Sequence, residues 1–464
     1  MMSDSTKTMS TNDNLNYESV HSVKVLIKHR RTGEFIARKS LLTDLFQISH
    51  INCIRNAFIS GFFLMILRQT INDLIHYGRL NWTFELLFLT VGKLHIVAIV
   101  WSLMTLSTSF IVFHSTYMWA SDRKFVGIYR KWYDIIWLVI YVFYLTGLMI
   151  IPSWQIIKYQ LPIASSAIIL AEQLRQLMKI HSFVRENVRK ILQQSHNSVD
   201  QKLSFEFSHF NQYVYFLFAP TLLYRDHYPR TSIIQWNIVM KMFGQFIITL
   251  FLIYNIITNF WMPIFTRFFT NDEITFDFMI STIFDLMLPG VLIVILAFYG
   301  FFHCWLNGFA ELLQFADRMF YEDWWNLTSA ATFWRSWNVV VHDWLYVYVY
   351  QDLNKLFNGN RNLATTSVVL LSAVFHEYFM IISLGFFSPI LIAWFGLFGM
   401  LFRFSFPRAK GTRWNIVLLT FVPICVAIIP YFYVLEVSAR YFPSKRKTFW
   451  NIMFNSNKQS NYEL

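Results

Sequence analysis

Leu363-Ala-Thr-Thr-Ser-Val-Val-Leu-Leu-Ser-Ala-Val-Phe-His-Glu-Tyr-Phe-Met-Ile-Ile-Ser-Leu-Gly-Phe-Phe387 is longer than the ~20 largely apolar residues that a helix needs to cross a bilayer, and near its middle it holds one imidazole beside one carboxylate, His376 and Glu377. It reads as a membrane-spanning helix with a costly polar pair at depth. Outward from it, Ile96–Phe113, Ile135–Ile151, Phe243–Phe260, Ile280–Phe302, Ile390–Phe404 and Ile416–Leu435 are apolar in the same way. Ala57–Ile75, broken by Arg68 and Asp73, and Gln155–Ala171 are weaker. An all-α polytopic membrane protein of about nine transmembrane helices is expected.

Composition agrees. Of 464 residues, 55% are hydrophobic, 19% aromatic and only 14% charged, where a soluble domain carries about a quarter charged. The net charge of +12 sits mainly beside apolar segments, which marks cytoplasmic flanks and anionic headgroups rather than a nucleic-acid partner. Cys53, Cys304 and Cys425 are odd in number and far apart, so no disulfide framework or CxxC knuckle is expected. Residues 1–50 hold no uninterrupted apolar h-region, so the first span is expected to do the targeting. No CaaX box or retention tetrapeptide is seen.

The chain divides into a polar, disordered tail (1–20), a basic amphipathic cytoplasmic arm (21–56), a transmembrane catalytic domain (57–442) and a C-terminal tail (443–464). The basic arm and the run Arg123, Lys124, Arg130, Lys131 assign the cytoplasmic side, which leaves Asn81-Trp-Thr83 as a luminal glycosylation sequon. The basic Lys445-Arg446-Lys447 disagrees with an odd span count. Arg185–Ser232 is expected to form a cytoplasmic loop. No solenoid repeat or low-complexity tract is present.

The chemistry concentrates in Phe315-Ala-Asp-Arg-Met-Phe-Tyr-Glu-Asp-Trp-Trp-Asn326 and Phe333-Trp-Arg-Ser-Trp-Asn-Val-Val-Val-His-Asp-Trp344. Such a block can be an interfacial aromatic belt. The density of hydrogen-bonding groups among the tryptophans, Asp323, Asn326, Arg335, Asn338 and His342, favours a wet chamber that accepts a polar ligand. A lone His in an apolar helix is often a satisfied core residue. Paired with Glu377, a buried His376 is instead read as a base kept neutral by burial. His376-Glu-Tyr-Phe-Met380 lacks the second histidine of a zinc motif, and neither a nucleophile elbow nor a P-loop occurs, so no metal site, covalent serine or ATP hydrolysis is expected.

Phe320-Tyr-Glu-Asp-Trp-Trp-Asn326 resembles the FYxDWWN motif of membrane-bound O-acyltransferases, and Asn338 and His376 match that family's characteristic Asn and His. Phe35-Ile-Ala-Arg-Lys-Ser-Leu-Leu42, His181-Ser-Phe-Val-Arg-Glu-Asn187, Phe218-Ala-Pro-Thr-Leu-Leu-Tyr-Arg-Asp226 and Trp337-Asn-Val-Val-Val-His-Asp-Trp-Leu345 resemble the sterol O-acyltransferase branch. The resemblance spans Ser22 to Phe442. It implies a fold of helices around an internal reaction chamber, and transfer of a long-chain acyl group from acyl-CoA to a sterol hydroxyl, with no cofactor beyond that substrate. It further implies His376 as general base, Asn338 holding the thioester, and Trp337 lining the same centre. Glu377 either orients the imidazole or makes a packing contact, and no oxyanion donor can be named.

The implied CoA contacts are Thr332, Arg335, Asn338, His342, Tyr350, Arg361 and Ser372. Thr332 and Trp334 stand where relatives more often carry Asn and Tyr, and Arg361 where Lys is more usual, a change of phosphate geometry. Phe320, Tyr321, Asp323, Trp324, Trp325 and Asn326 are read as structural, with Asp323 and Asn326 bracing the aromatic block. His50 falls near a position linked to sterol contact. The resemblance also implies the endoplasmic reticulum membrane and a homodimer or dimer of dimers through the first span. Two rivals remain at this point: a diacylglycerol acyltransferase of the same fold and a lipid transporter, the latter expected to show two related halves.

Overall fold

A computed structural model describes residues 34–80, 84–197, 207–270, 274–326, 328–400 and 412–441. Among the described residues every regular element is a helix, and only two isolated bridges occur, Arg38 with Asp317 and Arg230 with Phe315. In chain order the principal helices are α1 (Ser49–Tyr77), α2 (Leu94–Asp122), α3 (Gly127–Lys158), α4 (Ile163–Asn197), α5 (Phe210–Phe218), α6 (Trp236–Phe269), α7 (Phe276–Leu312), α8 (Ala330–Trp337), α9 (Val339–Trp344, continued by a π-helical turn, Leu345–Tyr350, into Gln351–Leu356), α10 (Arg361–Leu384), the π-helical α11 (Ile392–Phe398) and α12 (Arg413–Arg440). Seven of these in the described residues, α1, α2, α3, α6, α7, α10 and α12, are long and apolar enough to cross a membrane.

The count of nine is therefore not reproduced. Gln155–Ala171 is split: α3 ends at Lys158, Gln160 takes a left-handed φ of 46°, and Pro162 follows, where the pyrrolidine ring disfavours a helical residue before it. Ile390–Phe404 is seen only as far as residue 400, and the rest lies outside the described residues, as do residues 1–33, Asn81–Thr83 and Lys445–Lys447. The expected loop Arg185–Ser232 begins as helix, because α4 runs on to Asn197. Its Val184, Val188 and Ile191 recur at helical spacing and pack toward the Trp119 and Phe183 cores.

Two packed groups flank the site. α2, α3, α4 and α5 share a core of Val97, Met104, Phe113, Leu148, Phe183 and Tyr213, against which Tyr378, Phe379 and Ile382 of α10 rest. α7 lies along α12 around Phe268, Leu286, Tyr431 and Leu435. They pack closely enough that a Cβ on Gly290 would stand 2.8 Å from Val426 Cγ1, so any larger residue there would have to displace Val426. α1 touches Leu252, Ile256 and Leu296 through Phe62, Met65 and Ile66, while Phe63 and Ile75 remain 64% and 71% exposed. Outward apolar side chains are what lipid solvates, provided that the backbone is satisfied within the helix.

Candidate active site

On α10, Ala373 and Glu377, one turn apart on one face, are buried. His376, one residue and about 100° around the helix from Glu377, looks off that face and is exposed. The buried imidazole expected from sequence is thus corrected, since the packing face of α10 passes beside it. Its Nδ1 lies 2.7 Å from the Ser372 carbonyl and 3.4 Å from Ser372 Oγ. A carbonyl only accepts, so Nδ1 carries the proton and Nε2 keeps its lone pair. The Phe395 ring of α11 lies tilted against the imidazole, centroids 5.2 Å apart. Glu377 points away: its carboxylate accepts from the backbone N–H of Leu391 (2.9 Å) and Ile392 (3.1 Å) and from Tyr433 Oη (3.3 Å). Of the two roles open to Glu377 in the sequence, the structure gives the packing one, capping α11.

Asn338 interrupts two helices with φ −134° and ψ 87°. Its Oδ1 accepts from Val341 N at 3.1 Å and caps α9, which leaves its NH2 as the donor side. Trp337 sits in an aromatic cluster, 4.8 Å from Trp324, 5.2 Å from Phe298 and 5.3 Å from Phe333. The block is closed by backbone bonds on both sides of Trp337 and Asn338: Glu322 N donates to Ser336 O (2.8 Å) and Val339 N to Phe320 O (3.0 Å). Phe320 and Tyr321 are buried, but Asp323 and Asn326 are exposed and bond mainly to each other, Asn326 N to Asp323 O at 2.9 Å. They close the short turn that carries Trp324 and Trp325.

Among the remaining candidates, His342 and Tyr350 come together. With Tyr346 they form a ladder of near-parallel rings, His342–Tyr346 at 6.3 Å and Tyr346–Tyr350 at 5.5 Å. Tyr346 was missed in the sequence, although the four-residue spacing was there to see. Thr332 is engaged at the start of α8, its N–H and Oγ1 on Ser329 Oγ. Arg335 donates Nε to Ala331 O at 3.1 Å and is exposed, as is Arg361 at the start of α10. His50 stands exposed at the start of α1, joined to none of the others by a described contact. No hydrogen bond joins His376 to Asn338 directly. Phe395 of α11 meets His376, and Gly399, just beyond α11, would put a Cβ 3.3 Å from Trp334 of α8.

The sequence motifs on α4 and after α5 meet behind this ladder. Trp344 Nε1 donates to Met178 O and Ser182 Oγ, each at 2.9 Å, and Ser182 Oγ donates to Leu222 O. Arg185 pairs with Asp352 at 2.6 Å, and Glu186 accepts from Tyr348 Oη at 3.0 Å. Lys179, 1% exposed, places its ammonium on the carbonyls of Phe216 (2.6 Å), Leu217 (2.8 Å) and Ala219 (2.7 Å), so its three donors satisfy the open end of α5. Burial alone would raise the Asp226 carboxyl, but Lys190, Ser208 and Tyr224 outweigh it and hold that group below the usual carboxylate range. The contacts of Trp344, Tyr348 and Asp352 with α4 fix α9 and so the line of its rings.

Comparison with known proteins gives the family. The family model of membrane-bound O-acyltransferases matches residues 77–436. Sterol O-acyltransferase 1 of Mus musculus is 42% identical over 422 residues, covering 89% of this chain and 77% of the relative. Sterol O-acyltransferase 2 of Mus musculus is 38% identical, covering 90% of this chain and 79% of the relative. The Homo sapiens sterol O-acyltransferase 2 is 36% identical, with 90% and 78% covered. With a family model over most of its length and these relatives, the chain belongs to the membrane-bound O-acyltransferase family, among the sterol O-acyltransferases.

Proposed function

We propose that this acyltransferase moves a long-chain acyl group from acyl-CoA to the 3-hydroxyl of a sterol, with His376 as base and Asn338 as the carbonyl donor. The observation that carries the reading is the contact of His376 Nδ1 with Ser372 O at 2.7 Å, which in the neutral ring assigns the proton to Nδ1 and leaves Nε2 as the basic nitrogen. The hydroxyl oxygen attacks the thioester carbonyl carbon while Nε2 takes its proton. The C–S bond then breaks, and the same proton passes to the departing CoA sulfur, leaving steryl ester and CoA. Charge gathering on the carbonyl oxygen meets the Asn338 NH2, whose own oxygen is occupied by Val341 N.

CoA reaches this centre along the ladder of His342, Tyr346 and Tyr350, where its adenine stacks, with Arg335 and Arg361 for its phosphates. Removing the Tyr346 or Tyr350 ring is expected to raise the KM for acyl-CoA roughly tenfold, as loss of about 1–3 kcal/mol of base stacking requires. Initial-rate kinetics at saturating sterol would show this, with kcat moving much less. The same reading puts the amino-terminal arm on the cytosolic face of the endoplasmic reticulum membrane and the protein in a homo-oligomer through α1.

The acceptor is tested by giving purified protein labelled oleoyl-CoA with cholesterol or with diacylglycerol. Steryl ester as the main product is expected. Triacylglycerol as the main product overturns the sterol assignment, and ester from neither acceptor overturns the acyl-transfer reading altogether.

A further inference from the structure

The segment just before α1 reaches back across the chain to the block that frames Asn338. Arg38 inserts between two neighbours of Asp317: its N–H donates to Ala316 O at 2.9 Å, and its carbonyl accepts from Arg318 N at 3.1 Å. Its guanidinium grips Asp317 with both prongs, Nε to Oδ1 at 2.5 Å and Nη2 to Oδ2 at 3.1 Å, and Ile36 N adds a third bond to that carboxylate at 3.2 Å. The two side chains are 12% and 6% exposed, so this pair is shielded from the screening that makes surface ion pairs weak. Two residues on, Ser40 Oγ lies 2.7 Å from Tyr321 Oη, which lies 2.7 Å from His303 Nδ1 of α7. Ser40, His303 and Tyr321 are 1%, 2% and 0% exposed. A polar triad that dry is either fully bonded or costly.

Tyr321 is flanked by the two backbone groups that hold the Asn338 segment. Phe320 O accepts from Val339 N, and Glu322 N donates to Ser336 O. A tilt of the peptide between Phe320 and Glu322 therefore displaces Trp337 and Asn338. We infer that the amino-terminal arm, through Arg38 and Ser40, is a positioning element for Asn338, setting the distance between its amide and the reacting carbonyl. This rests on the reading of Asn338 given above. Ser40 touches no substrate. It acts through Tyr321, and misplacement of a reacting group by even 1 Å costs rate steeply.

Full-length Ser40→Ala is compared with wild type by hydrogen–deuterium exchange and by steady-state kinetics. Faster exchange is expected in residues 336–341 with α6, α7 and α12 unchanged, together with a roughly tenfold lower kcat and an acyl-CoA Kd within about twofold of wild type. Unchanged exchange at 336–341 overturns the inference, and so does a kcat within about twofold of wild type. Exchange raised equally through α6, α7 and α12 would mark general loosening and overturns it too. If Ser40→Ala does not yield monodisperse protein, Tyr321→Phe, which keeps the ring and deletes both hydroxyl bonds, is judged by the same criteria. Asn338→Ala is run alongside: a wild-type kcat there overturns the reading of Asn338 itself, whatever the exchange at 336–341 shows.

Discussion

Replacing His376 by alanine is expected to lower kcat for ester formation by about 10²–10⁴-fold, the usual contribution of a positioned general base, while acyl-CoA binding persists. The substitution should leave the fold standing. The buried face beside His376 on α10 belongs to Ala373 and Glu377, and the anchor of α11 is Glu377. What disappears besides the base is the exposed bond from Nδ1 to Ser372 O at 2.7 Å and one ring contact with Phe395 at 5.2 Å, each about 0.5–1.5 kcal/mol at most. Calorimetric binding of a non-hydrolysable acyl-CoA and single-turnover transfer of labelled oleate would separate the two effects. A variant that still turns over within tenfold of wild type would remove His376 from the mechanism.

Asn338 calls for two substitutions, because its two amide ends do different things. Alanine removes the Oδ1 cap on Val341 N, worth about 1 kcal/mol of stability, and the NH2 donors, worth about 10²–10³ in kcat if they meet the developing oxyanion. Aspartate keeps an acceptor for the cap and deletes both donors. Both variants are therefore expected to lose about 10²–10³-fold in kcat, whereas only the alanine variant should melt measurably earlier. The comparison needs a thermal melt and a kcat for each. Near-wild-type turnover in Asn338→Asp would leave Asn338 as a helix cap and nothing more.

Much of the fold was legible because lipid imposes a simple rule on sequence. Ile280–Phe302 lies within α7 and Leu363–Phe387 largely coincides with α10, since uninterrupted apolar length is the only requirement for crossing. The same rule misled at Gln155–Ala171, where average hydropathy hid the turn made by Gln160 and Pro162. Polarity misled at Arg185–Asn197, where charge suggested a loop but Val184, Val188 and Ile191 carried a helical period. In the site, residue types could be read and directions could not. His376 and Glu377 are adjacent in sequence, yet one is exposed beside Phe395 and the other caps α11. Contacts such as Arg38 with Asp317 or Ser40 with Tyr321 join residues hundreds of positions apart, and no local pattern encodes them.

The π-helical turn Leu345–Tyr350 has a geometric consequence for the ring ladder. In a plain α-helix, side chains four residues apart drift by about 40° around the axis, so three rings at that spacing would fan out like steps of a spiral stair. A wider-wound turn, closing its bonds five residues back, drifts in the opposite sense. His342 sits on the α-helical part while Tyr346 and Tyr350 sit on the π-helical part, and successive ring planes stay within 16° and 15° of parallel. The underwound turn thus works as a straightening device: it converts a helical surface into a flat rail. Deleting Val347 would let the segment rewind as ordinary α-helix, at no loss of helicity, and leave Tyr346 and Tyr350 three residues and about 60° apart around the axis, off a common rail.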